Sequence, residues 1–552
     1  MAERPESASK VSVQGDGVSI GSDEKVQVGL DGHAKLAQEH IFQDEALYEY
    51  WKGVYEKAKY EGRHRLDPDV QWTQREEAKL VRRLDLRIML WVWVMFMALD
   101  LMRYNINRAL ADGRILKDLG MTQNDINNGQ LIFFLCFLFM ELPSGLISKK
   151  LGPERWVPIQ VVAWSTVGVC QAALQNRAGY FATRALLGVC QGGFIPDMCL
   201  YLTYFYTSKE MNTRLGFFYT VLGLSEVVGC LLGAGFLSIH GLNNVAGWRY
   251  LFAFDGLISG VIGLLSFAMM PSSLTQTYNW LFRGSMFTPR EEAIMVNRLL
   301  RDDPSKGDMN NREAVDLKGI WQCLKDYDAW PVYILGLVIL IPYQPPLTYM
   351  SYILNSMLGF STFHSNLLAI PSYVVFAINS VWMALLSAKF HEKSIMASIT
   401  NIWVFPCLVA LVALPRSNTG SYAWIRYALI SLINAIPYPL AFMVGWVSEN
   451  AFSVRTRTVA LCLLNIMTQI GAIVATHVYT DDDQPYYRKG NTALAVISGL
   501  SILLCWATKV YYISRNRWKD RRWKQLTPEQ QTDYSVHSAE FGPRRLDTRF
   551  VH

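Results

Sequence analysis

Between residues 85 and 515 the chain repeats one pattern: an apolar run of about twenty residues, then a short polar break. Roughly 20 mostly apolar residues in a helix cross the ~30 Å hydrocarbon core of a bilayer. Twelve runs meet that length, at 87–106, 127–148, 156–175, 179–202, 214–238, 249–270, 330–354, 364–387, 395–414, 422–446, 457–479 and 491–513. Many carry Asn, Gln or a charge, so other helices must shield their polar faces. The pattern predicts an all-α polytopic membrane protein with twelve transmembrane helices.

The breaks organise these runs. The longest internal one, 271–329, is polar, mixed in charge, and divides the runs six and six. The expected domains are an N-terminal region (1–85), a six-helix half (86–270), a linker (271–329), a second half (330–513) and a basic tail (514–552). Two halves around a linker fit the pseudo-symmetric design of secondary transporters. The linker itself reads as a solvated connector. Residues 1–40 read as disordered, and "DEALYEYWKGVYEKAKYEG" as an amphipathic helix. Lys and Arg gather in "SKKLGPER", "TSKEMNTR", "AKFHEKS", "SVRTRT" and the tail, which places both termini in the cytoplasm. In that reading Arg108 falls in the first outside loop. The tail "RNRWKDRRWKQ" reads as a positive flank suited to anionic lipid.

Composition narrows the class. Apolar residues make up 51% and charged residues 18%, against about a quarter charged in globular proteins. The nine cysteines are scattered singly, without metal-ligand spacing. No phosphate loop, H-E-x-x-H or other catalytic cluster appears. An enzyme, a cofactor, a metal site and a nucleic-acid partner are not expected, and the net charge of +6 comes partly from the tail.

A charge near the bilayer centre costs at least ~2.5–3.5 kcal/mol, so each one must face inward, be paired or be used. The first half carries Asp100, Arg103, Glu141, Arg184, Asp197, Glu226 and Asp255; the second half relies on Gln344, Asn379, Asn434, Asn465, Gln469 and His477. Asp100, Arg103 and Asn107 share a helix face. Arg184 lies about five residues, or ~8 Å, into its span, which brings it level with them. Two arginines against one carboxylate suit a carboxylate or sulfonate. Either arginine is the direct ligand, or Asp100 and Arg103 form a plain intrahelical salt bridge. Glu226 and Asp100 are the candidate proton sites. Glu141 and Asp197, with Lys149 and Arg155 nearby, are candidate gating groups, and Asp255 reads as structural pairing. Gly188/Gly192 and Gly229/Gly233 read as close helix packing. Pro437/Pro439 and Pro342/Pro345/Pro346 predict helix breaks. Tyr343, Gln344, Tyr349, Tyr438 and Trp446 are pocket or path candidates, and Asn465 a further substrate contact.

Several stretches resemble the major facilitator superfamily, and within it the fungal allantoate permease branch of anion:cation symporters. They are "ELPSGLISKKLGPERW", "RALLGVCQGGFIP", "GWRYLFAFDGLISGVIGLL", "GFSTFHSNLLAIPSY" and "GWVSENAF…TRTVALCLLNIMTQIGAIVATHVYTDDDQPYYRKGN". Ser148 stands where the wider superfamily often has Asp. The resemblance spans about 80–520 and implies two pseudo-symmetric six-helix bundles. It implies a monomeric plasma-membrane importer that couples a small organic anion (carboxylate, vitamin-like acid or sulfonate) to a proton by alternating access. An uncoupled facilitator or exporter, and a non-transporting nutrient receptor, are the alternatives.

Overall fold

The computed structural model describes residues 41–551, apart from 240–244, 280, 282, 308–323, 357–358, 391, 417–420, 451–453, 528–529, 532–533, 535–545 and 547. Within helices, the side chains of some residues, Lys149 among them, also lie outside the description. The reading of 1–40 as disordered falls outside the described residues.

Helix covers each of the apolar runs. The first group comprises α3 (Leu90–Ala109), α5 (Gln123–Leu151), α6 (Pro153–Gln171), α7 (Arg177–Gln191) continuing into α8 (Phe194–Thr203), α9 (Ser208–Tyr219) continuing into α10 (Val221–Ser238), and α11 (Gly247–Met269). Between α3 and α5 lies the short α4 (Arg114–Leu119). The second group comprises α13 (Trp330–Val338) with α14 (Gln344–Ser356), α15 (Thr362–Phe390), α16 (Ser394–Ala413), α17 (Ser421–Asn434) with α18 (Leu440–Asn450), α19 (Val454–Ala475) and α20 (Arg488–Trp523). Among the described residues, seven helical stretches are long and apolar enough to cross a membrane. The remaining runs are shorter, broken or more polar, and are shielded by their neighbours.

The breaks follow sequence chemistry. Pro437 and Pro439 cannot continue a helix, and α17 ends at Asn434 before α18 begins at Leu440. The freed carbonyls are satisfied from other helices: Asn379 Nδ2 donates to Ala435 O (2.7 Å) and Thr400 Oγ1 to Pro437 O (2.8 Å). The α13–α14 break precedes Pro345 and Pro346, and Asn401 Nδ2 donates to Ile339 O (3.1 Å). Gly188 and Gly192 do serve packing. A Cβ on Gly188 would meet Phe133 O at 2.4 Å, and one on Gly192 Phe137 O at 2.8 Å.

For the described part of the linker, the expectation of a solvated connector is overturned. The amphipathic stretch forms α1 (Glu45–Lys57), followed by α2 (Gln74–Leu84); the linker contributes α12 (Pro289–Asp302). These pack together because α12 offers a row of guanidinium and amide groups to the N-terminal backbone. Arg65 pairs with Glu292 (3.1 Å), Asn297 donates to Arg65 O (2.9 Å), and Arg301 to Pro68 O and Val70 O (2.9 and 2.8 Å). Buried Tyr55 donates to Pro304 O (3.0 Å). Arg298 fastens this module to the helical body through Glu210 (2.7 Å) and Phe205 O (3.3 Å). Arg214 of α9 pairs with Asp85 (3.1 Å), and its neighbour Leu215 shares an apolar cluster with Tyr512 and Phe550, so the N-terminal segment and the end of α20 lie on one side of the molecule, the tail face.

Candidate functional site

The interior polar groups lie along α3 and separate into two clusters. On one side Arg108 pairs with Glu226 of α10 at 2.9 Å, with both side chains nearly inaccessible. The same guanidinium interacts electrostatically with Asp100 and Asp255. Asp100 accepts a short hydrogen bond from Ser225 Oγ. Neither oxygen of buried Asp255 has a hydrogen-bond partner. Arg108 therefore belongs to helix α3 rather than to an outside loop, because α3 continues to Ala109. Glycine makes room for it: a Cβ at Gly229 would stand 2.0 Å from Arg108 Cζ. Gly229 thus serves a side chain, which refines the close-packing reading. Asp255, read from the sequence as structural pairing, is buried and faces Arg108 electrostatically, while Arg249 Nη1 donates to Ala172 O (2.7 Å).

On the other side lie the two arginines predicted to sit level. Arg184 is fully buried and donates to the carbonyl of Arg103 (3.2 Å) and to Asn105 Oδ1 (3.5 Å). Its guanidinium also faces the Tyr180 ring at 5.5 Å. Arg103 itself is 5% exposed and lies over the rings of Phe133 and Phe137, at 5.4 and 4.7 Å. Its Nε and Nη2 have no hydrogen-bond partner. Among the described residues no ion pair joins Asp100 to Arg103, so the plain intrahelical salt bridge weighed from the sequence is not formed. The helix turns Asp100 toward α10 and Arg103 toward α5.

Between α3, α5 and α14 lies a small cavity of about 20 Å3, lined by Tyr104, Asn127, Gln130, Gln344, Thr348 and Tyr349 among others. Gln130 donates to Asn107 Oδ1 (3.5 Å), which places Asn107 beside it. Tyr343 is turned away, buried and stacked on Phe376 (6.0 Å). Half-buried Tyr438 packs against Phe376 (5.4 Å) and Tyr219 (6.2 Å), so an aromatic cluster joins the two helix groups.

Both ends of this interior are bridged between the groups. Toward the face opposite the tails, Asn127 Nδ2 donates to Tyr479 O (2.8 Å) and Tyr487 Oη to Gln123 (2.9 Å), and Tyr349 bonds Asn127. His477 meets Asn128 at 3.2 Å. Toward the tail face, Asn465 donates to Glu141 Oε1 (2.6 Å), leaving Oε2 without a hydrogen-bond partner. Asn465 and Tyr349, predicted as substrate or pocket residues, are thus engaged as bridges. Asp197 accepts from Ser144 Oγ (3.4 Å) and Arg155 is exposed; the Lys149 side chain lies outside the described residues. Trp446 does not line a path: it is fully buried, and its Nε1 donates to Val551 O (2.7 Å).

Tyr104, Arg108, Gln130 and Ser225 were missed by sequence reasoning. Tyr104 and Arg108 follow Asp100 at four and eight residues, within ~80° of it around the helix, and ending the first span at 106 hid the second. Nothing in the sequence signals Ser225 or Gln130, whose partners come from other helices.

A profile of the Major Facilitator Superfamily matches residues 92–476. The chain is 47% identical over 525 residues to the "Uncharacterized transporter YIL166C" of Saccharomyces cerevisiae, covering 95% of this chain and 96% of that protein. It is 26% identical over 418 residues to the "MFS transporter prlL" of a fungal species (strain NRRL 50135), covering 75% and 81%. In fold it is similar to the proton:xylose symporter XylE (TM-score 0.57, 13% identity, 76% of this chain and 95% of that one). It is likewise similar to an inward-facing bacterial homologue of the lysosomal transporter Spinster (TM-score 0.55, 15% identity, 77% and 97%). The profile covers most of the chain, and its description agrees with the helical groups and their polar interior: this chain belongs to the major facilitator superfamily, whose members are membrane transporters and not enzymes.

Proposed function

We propose that the chain is a proton-coupled importer of a small organic anion, a carboxylate or sulfonate, acting as a monomer of the allantoate permease branch in the plasma membrane with both tails cytoplasmic. The observation that carries this reading is Arg103, a buried guanidinium whose Nε and Nη2 have no hydrogen-bond partner, framed by two phenylalanine rings. A buried cation with unfilled donors is costly unless it meets an anion, and its fork matches two oxygens. Arg184 acts as its positioning residue, bonding the Arg103 carbonyl. Tyr104, Asn107 and Gln344 supply neutral contacts from the adjoining cavity.

Proton coupling is assigned to the Arg108 cluster. Asp100, Glu226 and Asp255 bring three carboxyls to one guanidinium. With all three ionised the cluster carries two surplus negative charges away from water, which low dielectric opposes. In this reading one of the three carboxyls takes up the coupling proton. Asp100 connects the clusters because it sits three residues before Arg103 on α3. A proton on Asp100 removes the negative charge nearest the anion site and favours anion binding.

Uptake of labelled carboxylates and sulfonates by cells expressing the chain, at pH 5 and pH 7.5 with and without an uncoupler, tests the reading. Uptake is expected to fall at alkaline pH, to collapse with the uncoupler, and to be abolished in Arg103→Ala. Uptake indifferent to pH and uncoupler removes the coupling, and unchanged affinity in Arg103→Ala removes the anchor.

A further inference from the structure

At the tail face, residues 548–551 lie in a groove between the end of α18 and the extension of α20. Two asparagines read their backbone. Asn516 donates to Phe550 O and accepts from Phe550 N (both 2.9 Å). Asn450 accepts from Val551 N (2.9 Å) and donates to Val551 O (3.2 Å), a carbonyl that also receives Trp446 Nε1 (2.7 Å). Phe550 is 4% exposed, stacked on Tyr512 at 4.9 Å, with the Lys519 ammonium 4.3 Å from its ring centre. Lys519 also donates to Thr548 Oγ1 (3.2 Å), and Arg549 pairs with Asp520 (2.7 Å).

Amide side chains that pair both backbone groups of successive residues recognise an extended peptide in the manner of strand addition, and the aromatic pocket between them sets which residue fits. We propose that this groove is a peptide-binding site whose occupant is the chain's own segment 548–551, and that its occupancy braces the inner end of α18. The anchor residues are shared between two helices: Trp446 and Asn450 belong to α18, Tyr512, Asn516 and Lys519 to α20. The segment therefore ties α18 to α20. Above the tie, α18 hangs from the Pro437–Pro439 break and packs through Met443 and Trp446 into the cluster that holds Leu215 of α9. Helix α9 belongs to the other helix group, so the brace steadies a junction that must part if the tail face opens. It is independent of the anion and proton assignments above.

Hydrogen exchange of the full chain in lipid nanodiscs tests this. Phe550→Ala is expected to raise exchange at least tenfold at 548–551 and several-fold at 443–450, leaving 247–269 unchanged. Asn516→Ala, on the helical extension, is expected to do the same. A synthetic peptide of residues 546–551 added to the Phe550→Ala protein is expected to restore protection at 443–450, while the same peptide carrying Phe550→Ala does not. Unchanged exchange at 548–551 in both variants overturns the docking. Faster exchange there with 443–450 unaffected overturns the brace. Failure of the peptide to restore protection overturns the binding site.

Discussion

Arg108 of α3 and Glu226 of α10 form a 2.9 Å ion pair with almost no solvent access, and Gly229, one turn from Glu226, leaves the space the guanidinium occupies. Removing one partner of a buried pair leaves an uncompensated charge and typically costs ~3–5 kcal/mol. Arg108→Ala is therefore expected to lower the melting temperature of the detergent-solubilised protein sharply. The double variant Arg108→Ala/Glu226→Ala should recover most of the loss. A double variant as unstable as the single one would show that the pair does not act as a unit.

Gly229→Ala places a methyl where Arg108 Cζ would stand 2.0 Å away. Forcing an extra methyl into a packed site costs ~1–3 kcal/mol. The expected outcome is a destabilised protein that still folds, whereas in an Arg108→Ala background the same glycine substitution should add little further loss. Thermal unfolding of the two variants and their combination checks it.

Arg184 acts on the proposed site through the backbone of Arg103. Arg184→Lys keeps a charge but loses the fork that reaches both Arg103 O and Asn105 Oδ1. It is expected to raise the KM for the anion more than it lowers the maximal rate, with the pH profile of uptake unshifted. A shifted profile would place Arg184 in the proton cluster instead.

The bridge at the face opposite the tails is made of neutral hydrogen bonds around Asn127, Tyr349, Tyr479 and Gln123. Each such bond contributes ~0.5–1.5 kcal/mol and Asn127 makes two of them, so Asn127→Ala should shift the balance toward opening on that side by roughly fivefold to a hundredfold. Spin labels at Asn124 and Asp481, whose groups touch across the bridge, should report a larger population of long distances. An unchanged distribution would mean that the bridge does not hold the face closed.

The module of α2 and α12 carries a pH dependence of known sign. The carboxyl of Glu76 is held below the usual 4.5 by the Thr73 backbone N–H, with Arg290 and the Thr73 hydroxyl adding to it. At Glu291 partial burial pushes the other way, but the N–H and hydroxyl of Thr288 and the charge of Arg83 outweigh it and lower the value. Groups lowered on folding stabilise the folded form above their ordinary value, and that contribution is lost as pH falls through the lowered one. Protection factors of amides near 73–77 and 288–292 should hold from pH 7 to about pH 5 and drop below pH 4.5. Constant protection down to pH 3 would refute this.

The sequence by itself determined the helical class, the places where helices run and the two proline breaks, because these depend on segment length, local apolarity and a missing N–H. It also picked out Asp100, Arg103, Arg184 and Glu226, because a charge in an apolar run is conspicuous without any partner in view. Which charge faces which was decided by the tertiary structure. Arg103 and Arg108 lie on one helix, five residues apart, yet one meets aromatic rings and the other a glutamate of α10. Their fates depend on the azimuth of α3 against α5 and α10, which side-chain packing sets and local sequence does not encode. The same holds for the linker. Its mixed charge looked solvated until α12 was seen to fold against α2 and its neighbours, where those charges find complementary groups more than two hundred residues away in sequence.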